Sequence, residues 1–138
     1  MAATLKLEIV TPSAVAYSHD VEMVTLPAVD GQIGIYPQHV PLMTRIVPGE
    51  IAVRRDGREE FIAVGEGLVE ITTQQVAIVT DMAIAAEHVD EARVEAARQR
   101  AEARLREKLS NEEVATVNAS LARALAQLRV KRRVHRPS

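Results

Sequence analysis

The chain has 138 residues, 47% apolar, 2% aromatic and none cysteine, with a formal charge of −2 at neutral pH. That length suits one domain or a small domain with an appendage, and the lack of cysteine excludes a disulfide scaffold and thiolate metal sites. No run approaches the ~18–20 apolar residues needed to span a bilayer, and Met1–Lys6 lacks the charged and apolar pattern of a signal peptide, so membrane association is expected to run through a partner.

In chain order, Thr4–Val10 alternates, with Leu5, Leu7 and Ile9 on one face and Lys6 and Glu8 on the other, as in a half-buried strand. Val15–Tyr17 reads as a short second strand closed by Ser18-His19-Asp20, and Val21–Leu26 follows as a third. The central stretch Leu26–Gly49 holds four of the six prolines and three of the six glycines. Such punctuation excludes a helix and predicts very short strands, Gln32–Tyr36 and Leu42–Val47, joined by fixed turns. Gly34 is expected to need a conformation that a Cβ disfavours. Beyond it, Glu50–Arg55 and Glu60–Val64 flank the hairpin signal Asp56-Gly57. Leu68–Thr72 and Val76–Asp81 form a further hairpin. Strands of this length and spacing argue an N-terminal β-sandwich or flattened barrel of about ten short strands.

Near Ala83 the period changes. Val89–Leu109 contains no Gly or Pro and is dense in Ala, Glu and Arg, so it reads as a helix. Ser110 and Glu113 form a capping box that starts a second helix, with a near-heptad seam of Val114, Val117, Leu121, Ala124, Leu125 and Leu128. A turn of two or three residues would make the helices antiparallel. The fold class is therefore α+β in two parts: a sandwich over 1–86 and a helical hairpin over 87–138. Charge changes sign at the same place: residues 1–86 carry 5 Lys/Arg against 11 Asp/Glu, and residues 87–138 carry 12 against 8. The alanine-rich hairpin buries little area and is expected to lie against something else.

No catalytic constellation is present. His19, His39, His88 and His135 are scattered without metal-ligand spacing, and no P-loop occurs. Gly65-Glu66-Gly67 is half a dinucleotide fingerprint but lies between strands, so it reads as a turn. Three polar features stand out: the loops Asp30–Gln32 and Pro37–Pro41, the basic residues Arg93, Arg98 and Arg100 on one helix, and the basic run Arg129–Arg136. For the arginines, ion pairing with Glu95 and Glu102 is the plainer reading.

Asp30-Gly31-Gln32-Ile33-Gly34-Ile35-Tyr36-Pro37, His39-x-Pro41-Leu42, Pro48-Gly49, Val79–Ile84, Val89-Asp90-Glu91-Ala92-Arg93 and Ala124–Val130 together resemble the ε subunit of bacterial F-type ATP synthases. The resemblance spans nearly the whole chain. It implies a β-sandwich followed by an α-hairpin, in a non-catalytic rotor subunit that couples γ to the c-ring during proton-driven ATP synthesis. It also implies that a mobile hairpin restrains ATP hydrolysis by reaching into the α/β head. Thr11, His39 and Thr44 would face γ, and Asp30, Gly31 and Gln32 would face the c-ring. Arg123, Arg129, Lys131, Arg132 and Arg133 would contact the head. The implied location is peripheral, on the cytoplasmic face of the inner membrane, which it would touch only through the membrane sector. Some relatives bind ATP through a pattern like (Ile or Leu)-Asp-x-x-Arg-Ala with further arginines. Val89, Asp90, Arg93 and Arg100 match it and Arg123 would be a further contact, whereas Val94 replaces the alanine and Ile84 and Gln127 replace polar ligands, so ATP binding is expected to be weak and no resident cofactor or metal is expected. The alternatives are a nucleotide-sensing module and a nucleic-acid binder using the basic tail. The second is disfavoured by the acidic sandwich and the scarcity of aromatics.

Overall fold

A computed structural model describes residues 3–135 and the side chains of residues 3–133. Ten strands come first: β1 (Leu5–Val10), β2 (Val15–Val21), β3 (Met23–Ala28), β4 (Gly31–Ile35), β5 (Leu42–Ile46), β6 (Gly49–Arg55), β7 (Arg58–Val64), β8 (Gly67–Ile71), β9 (Gln75–Thr80) and β10 (Ala83–Ala85). A single 3₁₀ turn, Ala86–His88, leads to α1 (Glu91–Leu105) and α2 (Asn111–His135).

The strands run in the order β10-β7-β6-β3-β5-β8-β9-β1-β2, with β4 paired to β3. Between β3 and β5 the ladder narrows to one pair, Ala28 with Ile46, and there the sheet folds over. One layer is β10-β7-β6-β3-β4 and the other is β5-β8-β9-β1-β2. Inward residues of both layers, among them Leu7, Ile9, Val24, Leu26, Ile51, Val69 and Ile78, are at most 1% exposed and form the core. The open edges β2 and β10 leave a seam, which Tyr17 spans: its hydroxyl donates to Glu60 of β7 at 3.0 Å. Arg55 donates to the same carboxylate oxygen at 2.9 Å.

Local signals placed most elements. In the two-residue turn between β6 and β7, Asp56 and Gly57 have φ of 53° and 73°, the pair of positive values that a twisted hairpin needs. The capping box is closed on both sides, Glu113 N donating to Ser110 Oγ and Ser110 N to Glu113 Oε1, each at 3.1 Å.

Four expectations need correction. β2 runs through Ser18-His19-Asp20 to Val21, because each residue from Tyr17 onward finds a partner on β1, down to Leu5 with Val21. As an edge strand exposed on both faces it has no alternation to read. α1 stops at Leu105, with five residues before α2. Gly34 sits in β4 opposite Thr25 without a positive φ, and a Cβ there would meet only the mobile end of Met23 at 3.1 Å. Among the described residues of α2 the buried ones are Ala124, Ala126, Leu128 and Val130, whereas Leu125 is 41% exposed, because this helix faces both α1 and the sandwich.

Candidate interaction surfaces

The hairpin does find something to lie against. Outward-facing Phe61 and Ala63 of β7 pack with Met82, Ile84, Ala86, Val89 and Val94 against Ala124, Ala126, Leu128 and Val130 of α2. This second cluster is separate from the sandwich core, and four of its members are alanines. Small residues let the helix approach closely but remove little apolar area from water.

Two ion pairs frame the cluster. Arg133 donates to both oxygens of Glu50 on β6, Nη2 to Oε1 at 2.6 Å and Nε to Oε2 at 3.3 Å. Its guanidinium also lies 5.7 Å from the centre of the Phe61 ring. The Glu50 side chain is only 10% exposed. The second pair joins Arg123 and Asp81 at 3.7 Å. Asp81 lies across Gly65, where an added Cβ would fall 1.8 Å from a carboxylate oxygen. Gly65 therefore lets that carboxylate reach the helix. The half-fingerprint is a tight turn, and its glycine serves side-chain packing.

A cavity of about 450 Å³ opens between the helices and the end of the sandwich, lined by Asp90, Arg93, Arg100, Arg123, Ile84 and Gln127 among others. All four sequence-predicted ATP contacts thus meet at one place, with both replaced positions beside them. Helix geometry separates the arginines: Arg93 and Arg100 are seven residues apart and share a face at 100° per residue, whereas Arg98 is turned about 140° from Arg93. Arg98 instead pairs with Glu95 and Glu102, and these partners hold its pKa above the usual arginine value. Asp90 caps α1, accepting from Arg93 N at 3.2 Å. Gln127 donates to Met82 Sδ at 3.3 Å.

The residues expected to face γ lie on three separate segments. Thr11 lies in the β1–β2 turn, donating to Ala14 O at 3.2 Å. His39 lies in the β4–β5 loop, which Gln38 N ties to Thr73 O of the β8–β9 turn at 2.8 Å. Thr44 opposes buried Val69 and is itself half-buried, so its outward neighbours are Met43 and Arg45. Asp30, Gly31 and Gln32 are exposed at the tip of the β3–β4 hairpin, and Val29 N donates to Arg45 O at 2.9 Å beside them.

Two features escaped sequence reasoning. Glu50 looks like any strand-end acid, and only the outward parity of Glu50, Phe61 and Ala63 hinted at a covered face. The other is a cross-strand row on the outside of the β5-β8-β9-β1-β2 layer: Arg45, Leu68, Val79, Val10 and Val15 are successive register partners. Leu68, Val79 and Val15 are 55%, 60% and 58% exposed, with Met43 at 65% nearby. Among the described residues of this chain nothing covers that row, and no described helix is long and apolar enough to cross a membrane.

Comparison with known proteins agrees with this architecture. Residues 4–86 match the profile of the ATP synthase delta/epsilon chain β-sandwich domain, and residues 87–132 that of the delta/epsilon chain long α-helix domain. The ATP synthase epsilon chain of Laribacter hongkongensis is 37% identical over 96% of this chain and 99% of its own length. That of Halorhodospira halophila is 40% identical over 92% of each. Among solved structures, a chain of the Euglena gracilis mitochondrial ATP synthase (OSCP/F1/c-ring) superposes with a TM-score of 0.78 at 18% identity, covering 94% of this chain and 81% of that one. One from the Tetrahymena thermophila central stalk and c-ring gives 0.64 at 11%, covering 94% and 98%. These two likenesses speak to the fold. From the two matched profiles and the full-length identities, the chain belongs to the epsilon-subunit family of bacterial F-type ATP synthases, a subunit of the stalk rather than the catalytic one.

Proposed function

We propose that the chain couples γ to the c-ring as a rotor element during proton-driven ATP synthesis, and that its hairpin restrains ATP hydrolysis when it leaves the sandwich. One observation carries this reading: the two outer faces of the sandwich are treated differently. The β6–β7 face is covered by the chain's own α2 through a thin alanine-rich cluster, a contact suited to release. The opposite face keeps an exposed row of Leu68, Val79 and Val15, suited to a lasting partner. γ would occupy that row, with Thr11 and His39 in loops of the sandwich and outward Met43 and Arg45 on either side of half-buried Thr44, while Asp30–Gln32 would meet the c-ring. Released, the hairpin would carry Arg123, Arg129, Lys131, Arg132 and Arg133 towards the α/β head. Arg136, the last cation of the basic run, lies outside the described residues. The division at Ala86 and Glu87 and a peripheral place on the cytoplasmic face of the inner membrane belong to the same proposal.

The test is binding of purified γ to the Leu68→Asp/Val79→Asp variant. Both side chains point to solvent, so the sandwich should fold normally by circular dichroism while γ capture is lost. Full γ capture by the folded variant would refute the assignment of this face.

A second reading has its own observation, the cavity that gathers Asp90, Arg93, Arg100 and Arg123. Its size falls in the range of small-molecule sites, about 300–1,000 Å³. Because Ile84 and Gln127 stand at two polar positions of the ATP-binding pattern, ATP titrated by calorimetry should bind weakly. Sub-micromolar affinity, lost on Arg93→Ala or Arg100→Ala, would promote nucleotide sensing to the main role.

A further inference from the structure

We propose that Glu50 and Asp81 are the two fixed points of an ionic latch for α2, with the Arg133–Glu50 pair its principal contact, so that ionic strength sets how much of the hairpin stays docked. The latch rests on the reading that the hairpin leaves the sandwich, and it assigns the residues that hold it back.

Three observations lead there. The pairs are long-range and bracket the contact: Arg123 and Arg133 lie ten residues apart on α2, about 15 Å along its axis at 1.5 Å per residue. Two points that far apart fix both the rotation and the register of a helix, which the small side chains between them specify poorly. The acceptors are also prepared on the sandwich. Glu50 is held among packed groups at 10% side-chain exposure, with the Phe61 ring beside it to receive a guanidinium face. Asp81 reaches Arg123 only because position 65 lacks a side chain. Finally, the apolar part of the contact is thin, four of its eight described buried residues being alanine, so charge pairing carries a larger share of docking than in an ordinary core.

The pairs differ in strength. Arg133–Glu50 is bidentate and half-buried, the geometry in which a charge-assisted pair is strongest. Arg123–Asp81 is longer, with the Asp81 side chain 50% exposed, and is worth little by itself. Arg123 also lines the cavity, so an anion bound there would draw on the same guanidinium. The latch has a functional corollary. Arg123 and Arg133 are among the cations proposed to meet the α/β head, and in the docked state both already have carboxylate partners. Docking on the sandwich and contact with the head then compete for the same charges, so one state excludes the other.

The experiment uses the full-length chain with spin labels at introduced Glu70→Cys and Asn118→Cys, the protein having no cysteine of its own. The distance distribution between the labels gives the undocked fraction directly. In the otherwise native chain that fraction should rise from low salt to ~1 M, where the Debye length is ~3 Å. Arg133→Ala or Glu50→Gln should raise it about 3–10-fold at low salt and flatten the salt response, and the exchanged pair Glu50→Arg/Arg133→Glu should recover part of the loss. Arg129→Ala should leave it unchanged. Undocked fractions in Arg133→Ala and Glu50→Gln equal to the native value at both salt concentrations would overturn the latch. ATPase assays of reconstituted F1 with Glu50→Gln, which leaves every proposed head-contacting cation in place, separate the two ideas: undocking without altered hydrolysis would support the latch and refute the inhibitory role of the hairpin.

Discussion

Among the described residues of α2, Leu128 is the largest aliphatic side chain buried in the docking cluster, at 5% exposure. Leu128→Ala removes three carbon groups from that contact. At ~0.8 kcal/mol per buried carbon the transfer loss is ~2.4 kcal/mol, to which a residual cavity adds if the helix does not settle inward. The docked-to-undocked ratio should fall about 50-fold, since ~1.4 kcal/mol is a factor of ten. The cost falls on one interface only, because Leu128 has no place in the sandwich core. Hydrogen exchange followed by mass spectrometry reads this directly: peptides from α2 should lose protection, while those from β1 and β9 keep theirs. Ile78→Ala, at 1% exposure inside the sandwich, should instead destabilise every strand. Leu125→Ala is the matched control. Leu125 lies on the heptad seam read from sequence but is 41% exposed, so its loss should cost no more than ~0.5 kcal/mol. If Leu128→Ala speeded exchange in β1 and β9 as much as in α2, or if Leu125→Ala matched it, the description of a separable docked hairpin would be wrong.

Further outcomes follow from the same geometry. Gly57→Val should lower stability by about 1–2 kcal/mol in thermal unfolding, because its φ of +73° strains a β-branched residue. Gly34→Val, which only displaces the end of Met23, should cost less than Gly57→Val. Burial, then the hydrogen bond to Glu60, raises the pKa of Tyr17 above its ordinary 10. The stability from Tyr17 is therefore complete below pH ~10 and lost as pH climbs towards the raised value, a decline that Tyr17→Phe should abolish in alkaline denaturation curves. Hydrogen bonds from the Ser110 backbone and hydroxyl lower the Glu113 pKa. The helix start should thus hold at neutral pH and weaken as pH falls below ~4.3 through the depressed value, with Glu113→Gln removing that acid response in α2 exchange. A chain ended at Ala86 should fold as a β protein by circular dichroism and still capture γ, and an unfolded product would refute the proposed division.

The sequence alone determined whatever is encoded within a few residues of itself. Leu5, Leu7 and Ile9 alternate because one face of β1 is buried. Asp56-Gly57 makes a hairpin because both residues tolerate positive φ, and Ser110 with Glu113 starts α2 because two orphan N–H groups need acceptors three residues away. The change from period two to helical spacing distinguished a strand-rich part from a helical one, although Ala83–Ala85, where the change was read, is still strand β10, and the motif residues pointed to the family. Tertiary structure decided what depends on a distant neighbour. β2 is seven residues long because β1 offers partners along its length, although neither of its faces carries a pattern. Leu125 leaves the seam and Ala126 enters it because α2 must serve α1 and the sandwich at once. Arg93 and Arg100 face the cavity while Arg98 turns to its own helix, a distinction that needs the docked helices and not only the spacing. Glu50 becomes a buried acceptor because Arg133, 83 residues further along the chain, is folded back over it. No local signal carries such a pairing, since it exists only once the sandwich has closed and α2 has been laid across its outer face.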